Sequence, residues 1–199
     1  MRCIPLAVMG SYFSRKISII ILLCALLLVP DHAFARGGTR LTDVVITNSR
    51  NDLLLFLKIK GVFSPKMQRA VFSGVPTTFS FFIILEQKRS LWMDKTLAEI
   101  TLTHTIKYDN LKKGFTVIRS WENEKPIFLK SFAEAQKMMT EVNGFKIYPI
   151  NKLDKGTRYR LSAKAKLSKI TLPFYLHYIL IMASLWDFET EWHSIDFVY

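Results

Sequence analysis

The chain has 199 residues, half of them hydrophobic, and a formal charge of +12. That length suits one ordinary domain with a buried core. The two cysteines, Cys3 and Cys24, both lie in the first 35 residues, which excludes a disulfide scaffold for the rest.

Arg15 and Lys16 precede an uncharged apolar run over 17–29, Pro30 interrupts it, and Ala33-Phe34-Ala35 follows. Basic, apolar and small-x-small segments in that order read as a secretory signal peptide over 1–35. The mature protein is then a single domain over 36–199, exported and periplasmic. Cleavage removes Arg2, Arg15 and Lys16 against Asp31, so the formal charge drops by only two from +12. The alternative is an uncleaved helix anchored in the inner membrane. The run spans only about 20 Å as a helix, against a hydrocarbon core of about 30 Å. Extending it through Pro30 would carry Asp31 and His32 into the membrane, so cleavage is the preferred reading. Lipidation at Cys24 is disfavoured, because Leu23 stands where a small residue belongs.

Residues 36–40, with Gly37 and Gly38, read as a mobile start of the mature chain. Period-two alternation then marks strands over 53–60, 77–86, 100–108, 115–120 and 157–167. In the third, Ile100, Leu102, His104, Ile106 and Tyr108 face one way, and Thr101, Thr103, Thr105 and Lys107 face the other. Gly114 and the polar run 122–125 sit at turns.

Two short helices are expected between strands. Ser64 caps the first, Pro65 starts it, Met67, Ala70 and Val71 form its apolar face, and Gly74 closes it. Ser131 and Glu134 form a capping box for the second. Phe132, Ala135, Met138, Met139 and Val142 follow helical spacing, and Gly144 stops it. The fold class is mainly β: an antiparallel sheet or sandwich of about eight strands with two short helices.

The segment Ala70-Val71-Phe72-Ser73-Gly74-Val75-Pro76 precedes a long apolar strand. Lys107-Tyr108-Asp109-Asn110-Leu111 precedes the strand beginning at Phe115. The helix with Glu134 and Ala135 follows, then Leu172-Pro173, then Trp186-Asp187-Phe188 and Trp192. In this order and spacing, from about Leu41 to Tyr199, the chain resembles the bacterial domain-of-unknown-function family 4390. The resemblance implies an exported proteobacterial, hence Gram-negative, envelope protein. It implies no reaction, ligand or catalytic residue. Some relatives are encoded beside sensor histidine kinases, which makes such a kinase or another envelope protein the implied partner.

Four features could carry function. Arg158, Arg160, Lys164 and Lys166 line the polar face of the strand 157–167, with Tyr159, Leu161, Ala163, Ala165 and Leu167 opposite. Side chains two apart on a strand stand roughly 7 Å apart. The row therefore suits an anionic polymer or a membrane surface. The plainer reading is a salt ladder, with Glu189, Glu191 and His193 on a paired C-terminal strand facing Arg158 and Arg160.

The second feature is the segment 172–186, apolar all round, in which Phe174, Tyr175, Tyr178 and Ile181 would contact lipid or a partner. Burial over the sheet is the competing expectation. The third is histidine: His104, His177 and His193 lack metal-ligand spacing, and His104 reads as a hydrogen-bonded core residue. The fourth is the carboxylate series Asp187, Glu189 and Glu191, which reads as polar surface rather than an acid–base pair.

No phosphate loop, nucleophile elbow or surviving cysteine nucleophile is present, so no catalytic, metal-binding or cofactor-binding residue is expected. Export argues against nucleic acid as the partner of the basic charge. The expected function is that of a non-enzymatic envelope protein binding a protein partner, with a sensor kinase as one candidate. A carrier of a lipid or other amphiphile is the alternative.

Overall fold

The computed structural model describes residues 38–168 and 188–199. The segment 1–35 and nearly all of 169–187 carry readings that lie outside the described residues, including the signal peptide and the run 172–186. In chain order the elements are β1 (Arg40–Asn48), β2 (Asp52–Lys60), α1 (Pro65–Phe72), β3 (Thr77–Gln87), β4 (Lys95–Asp109), β5 (Gly114–Arg119) and β6 (Ile127–Leu129). Then come α2 (Phe132–Thr140), β7 (Glu141–Pro149), β8 (Arg158–Leu167) and β9 (His193–Val198).

The strands form two antiparallel sheets, β1-β2-β7 and β6-β5-β4-β3-β8-β9. The expected mainly-β class is thus observed, and nine strands stand among the described residues where about eight were expected. The alternation along β4 is as read: Leu102, His104 and Ile106 are buried, while Thr101 and Lys107 are exposed. Its neighbour β3 sets Phe79 opposite His104, Phe81 opposite Leu102 and Ile83 opposite Ile100. On its other side, Phe79, Phe81, Ile83 and Leu85 meet Leu167, Ala165, Ala163 and Leu161 of β8. Small alanines opposite Phe81 and Ile83 leave room for the large side chains of β3. Leu55, Leu57 and Ile59 of β2 and Val142 of β7 join the same buried cluster, so both sheets share one core.

The helices close the core at one end with aromatic rings. Phe132 at the start of α2 lies 5.2 Å from Phe72, 5.4 Å from Phe115 and 5.5 Å from Phe63, centroid to centroid. Such offset pairs add roughly 0.5–1.5 kcal/mol each beyond area burial. Ser64 caps α1 by accepting a hydrogen bond from the Met67 amide, as expected. Ser131 accepts from the Glu134 amide at the start of α2.

Two expectations are corrected. The second helix ends at Thr140, and Val142 and Gly144 belong to β7. The β-branched Val142 is buried and pairs with Leu57 in the sheet ladder, which outcompetes another helical turn. Gly144 takes φ +71° within that strand rather than stopping the helix. Arg40, expected to lie in a mobile stretch over 36–40, is instead the first residue of β1, paired with Lys60.

His104 is the core histidine the pattern suggests. It is fully buried, its ring 4.8 Å from that of Phe81. Nδ1 lies 3.1 Å from the Met139 carbonyl oxygen at the end of α2, and the Trp121 indole N–H donates to Nε2 at 3.0 Å. A donating indole requires a bare Nε2, so the proton sits on Nδ1. Arg119 stacks on Trp121 at 5.0 Å and is clamped by Glu122 at 2.8 and 2.6 Å, which fixes the indole.

Burial pushes the imidazole pKa from 6.5 down to about 4, reinforced by Arg119 and partly offset by the Met139 carbonyl. A histidine depressed in the folded state stabilises fully above its unfolded pKa and loses that contribution as pH falls through its folded pKa. The loss amounts to roughly 3 kcal/mol between pH 6.5 and below 4. An NMR titration should therefore place the His104 midpoint near 4; a midpoint near 6.5 would refute the assignment. Trp121→Phe, which orphans Nε2, should cost about 1–3 kcal/mol in urea unfolding at pH 7.

Candidate functional site

The polar face of β8 is built by register. Its inner face is fixed by Tyr159, Leu161, Ala163, Ala165 and Leu167, all buried, so the alternate residues must point outward. The strand β9 pairs alongside, with Ile195 opposite Leu161 and Phe197 opposite Tyr159. The rings of Phe197 and Tyr159 stack at 5.7 Å. That inner match sets the outer one. Arg160 stands opposite Asp196 and holds it through Nε at 2.7 Å and Nη2 at 3.0 Å. Ser162 and Ser194 share a hydrogen bond at 2.9 Å. Beyond them, Glu189 bridges two cations, Lys164 at 2.6 Å and Lys166 at 2.8 Å. The Lys164 ammonium also lies over the rings of Trp192 at 4.8 Å and Phe82 at 5.7 Å.

A salt ladder is thus present, with partners that differ from those expected. Val198, not an acid, faces Arg158, and Asp196 takes Arg160. Glu189 pairs two registers further along, at Lys164 and Lys166, and Glu191 and His193 are exposed. The apolar contacts of Ile195 and Phe197 decided the register, and they outweigh exposed ion pairs.

At the Arg158 end of the sheet, the β3–β4 hairpin turns through residues 88–94. The Lys88 amide donates to the Arg158 carbonyl at 2.9 Å, and the Gln87 side-chain amide donates to Asp154 at 3.1 Å. Asp94 accepts from the Arg89 amide at 3.2 Å and pairs with the Lys88 ammonium, which holds its carboxyl below the usual range. From this tied root project Leu91, Trp92 and Met93, exposed to 96, 77 and 83%. Sequence reading passed over them. The available signal was three adjacent large apolar residues inside a connection bounded by Lys88-Arg89 and Asp94-Lys95, where turn residues belong.

The described residues also form surface grooves. One of about 460 Å³ opens between β1 and β9, lined by Val44, Val45, Ile46, Leu53, Ile195 and Phe197 among others. Both of its walls are sheet-edge strands. Its far end is tied down by Tyr199, whose amide donates to the Thr157 carbonyl at 3.2 Å and whose carbonyl accepts from the Gly156 amide at 2.5 Å. A second, of about 430 Å³, gathers Lys58, Lys60 and Lys137 beside α2, with Lys58 held by Glu141 at 2.6 Å. A third, of about 590 Å³, surrounds the turn at Asn110.

Each carboxylate whose pKa clearly departs from normal is lowered: Glu189 by Lys164 and Lys166, Asp196 by Arg160, and Asp109 by the amides of Lys112 and Leu111. Glu141 is lowered too, since Lys58 and Asn143 outweigh its desolvation. A general acid needs the opposite shift. Among the described residues no group of three or more histidine, cysteine, aspartate or glutamate residues is placed to hold a metal ion. No described helix is long and apolar enough to cross a membrane. The anticipated apolar contacts Phe174, Tyr175, Tyr178 and Ile181 lie outside the described residues. Of the anticipated cations, the structure brings Lys164 and Lys166 together at Glu189 and leaves Arg158 with the hairpin tip.

The architecture defines a mainly-β protein of two antiparallel sheets sharing one core. Within that class, the chain belongs to the domain-of-unknown-function family DUF4390, which it matches over residues 37–196. No curated protein and no solved structure matches it.

The Glu189 carboxyl is held at about 2 by hydrogen bonds from Lys164 and then Lys166. A depressed carboxylate keeps its pairing above the normal pKa and loses it as pH falls through the depressed one. An NMR titration should find Glu189 near 2 in the native chain and close to 4.3 in Lys164→Met/Lys166→Met, the value of a free glutamate. Identical midpoints in the two proteins would dissolve the ladder.

Proposed function

We propose that this is a non-enzymatic protein of the Gram-negative cell envelope. It is exported by the signal peptide over 1–35, works in the periplasm, and docks a protein partner. A membrane sensor kinase is the partner class to which the family resemblance points. If the N-terminal segment is retained, the same domain is held at the inner membrane.

The observation that supports this reading is the β1–β9 seam. Val45 and Val198 are 52 and 64% exposed there, on strands whose outer backbone edges pair with no other strand among the described residues. An apolar seam between two open edges suits an extended segment of another chain, which gains ladder hydrogen bonds and side-chain contacts together. The edge of β1 is interrupted by a register shift between Thr42 and Val45, with Asp43 at φ +54°, and is regular from Val45 onward. A bulge of this kind blunts indiscriminate strand pairing and leaves a short stretch for a selected one.

The alternative, a lipid or amphiphile carrier, draws on the same groove, whose volume of about 460 Å³ falls within the range of small-molecule sites. It gains less support from the interior, where β2, β3, β4 and β8 contribute a continuous packed cluster.

A photo-crosslinking residue placed at Val45 or Val198 should capture the same envelope protein in cells at native expression, and one placed at Leu111 should not. Val198→Lys, which sets an unpaired cation in the seam, should lower the yield from position 45 about tenfold, equivalent to ~1.4 kcal/mol. Capture of lipid alone would favour the carrier, and capture of nothing at either position would remove the docking reading.

A further inference from the structure

We infer that the β3–β4 hairpin tip is a membrane-interface anchor: Leu91, Trp92 and Met93 enter the headgroup boundary of an anionic bilayer, with Arg89, Lys95 and Arg158 as a cationic collar. Isolated exposed hydrophobic residues are ordinary, but three large ones in succession at a turn are not. They are exposed to 96, 77 and 83%, and the polar residues beside them, Arg89, Ser90 and Lys95, are exposed as well.

Charge complementarity selects the occupant. The charges gathered at this end are Lys88, Arg89, Lys95, Arg158 and Arg160 against Glu86, Asp94, Asp154 and Asp196. Lys88 is committed to Asp94 and Arg160 to Asp196. None of the ion pairs found among the described residues involves Arg89, Lys95 or Arg158. The apolar tip is therefore flanked by Arg89 and Lys95 in the turn, with Arg158 at the root beside Asp196, and cations outside any ion pair of the described residues suit anionic headgroups.

Shape favours a bilayer over a protein. A protein anchor is seated in a matching pocket, whereas a convex tip needs only a yielding apolar layer. Tryptophan, with an apolar ring and one N–H, is the residue that settles at the headgroup level. The root is already tied by Lys88 to the Arg158 carbonyl, by Arg89 to Asp94 and by Gln87 to Asp154. Little conformational freedom of the strands is lost on insertion.

This site is distinct from the β1–β9 seam and stands or falls apart from it. The anchor and the seam nonetheless share an end of the molecule, because Arg158 pairs with Val198. A tip in the interface would present the seam beside the bilayer, where a membrane partner is reached.

The test uses the full chain with Cys3→Ser and Cys24→Ser, carrying an environment-sensitive fluorophore through Met93→Cys. A second protein carries it through Leu111→Cys, an equally exposed position (95%) on the β4–β5 turn, about 45 Å away along β4. Reading local polarity separates tip insertion from any attachment through another segment. With vesicles of phosphatidylcholine and phosphatidylglycerol, the probe at 93 should shift to the blue and the probe at 111 should not. With phosphatidylcholine alone the shift at 93 should be largely lost. Arg89→Glu/Lys95→Glu should weaken partitioning of the labelled tip at least about tenfold. No shift at 93, or equal shifts at both positions, overturns the inference. Equal shifts in neutral and anionic vesicles overturn the role of the collar. A probe at 93 that stays in water on vesicles, while a crosslinker at 92 captures a protein in cells, reassigns the tip to a protein partner.

Discussion

The pairing of β3 with both β4 and β8 is the constraint on which the rest depends. Phe79, Phe81, Ile83 and Leu85 are buried on one face of β3, and each is met on both sides by a residue of the same face. A slip of β3 by one residue would turn all four to solvent and bring Glu86 toward the core, and a slip of β8 would do the same with Lys164 and Arg160. Burying even one of those charges unpaired costs several kcal/mol, so the register is held from both directions. Once it is held, the β3–β4 turn must fall at 88–94 and the cations of β8 must face outward. The tip and the ladder are consequences of the core rather than additions to it.

The ladder shows how little of a charge pattern is decided by charge. The inner contacts of Ile195 and Phe197 against Leu161 and Tyr159 place β9, and Asp196 and Glu189 then fall where they can reach Arg160, Lys164 and Lys166. Exposed pairs of this type contribute at most about 1 kcal/mol each. Their effect is on specificity: three of four cations in a row are engaged by acids of the same chain. The fourth, Arg158, lies at the hairpin end, among cations that stand apart from every ion pair of the described residues.

Strands with strict alternation were legible because one face is buried and the other is not: β2, β3, β5 and β8 follow the pattern within a residue or two at each end, while β4 begins at Lys95, five residues before the alternation read over 100–108. The missed strands lacked that contrast. The edge strand β1 exposes Val45 and Asp43 across a bulge. Three residues of β6 are too few to carry a period. The ladder of β7 is irregular, shifting at two points against β2, and follows α2 without a break, so Val142 read as the next helical position. His104 was legible as a core histidine from its face of β4, but its acceptor and donor, Met139 and Trp121, come from elements that only the fold brings together. The cationic row was legible and its partners were not, since register across 25 to 36 residues of chain is set by packing. The tip was the opposite case: its residues are adjacent in sequence, and only their exposure gives them meaning.

The surplus of positive charge, which first suggests a polyanion, takes a narrower sense from this arrangement. A linear polyanion tracking β8 would have to displace Glu189 from two lysines, whose hydrogen bonds hold its carboxyl below the usual range. It would also have to displace Asp196 from a two-pronged arginine contact, the geometry in which carboxylates are held most firmly. Each displacement offsets part of what the polyanion gains, so the row attracts its ligand less than its sequence advertises. Arg89, Lys95 and Arg158 carry no such cost. They surround apolar side chains rather than a groove, and anionic charge that comes with an apolar layer beneath it is what a lipid bilayer provides.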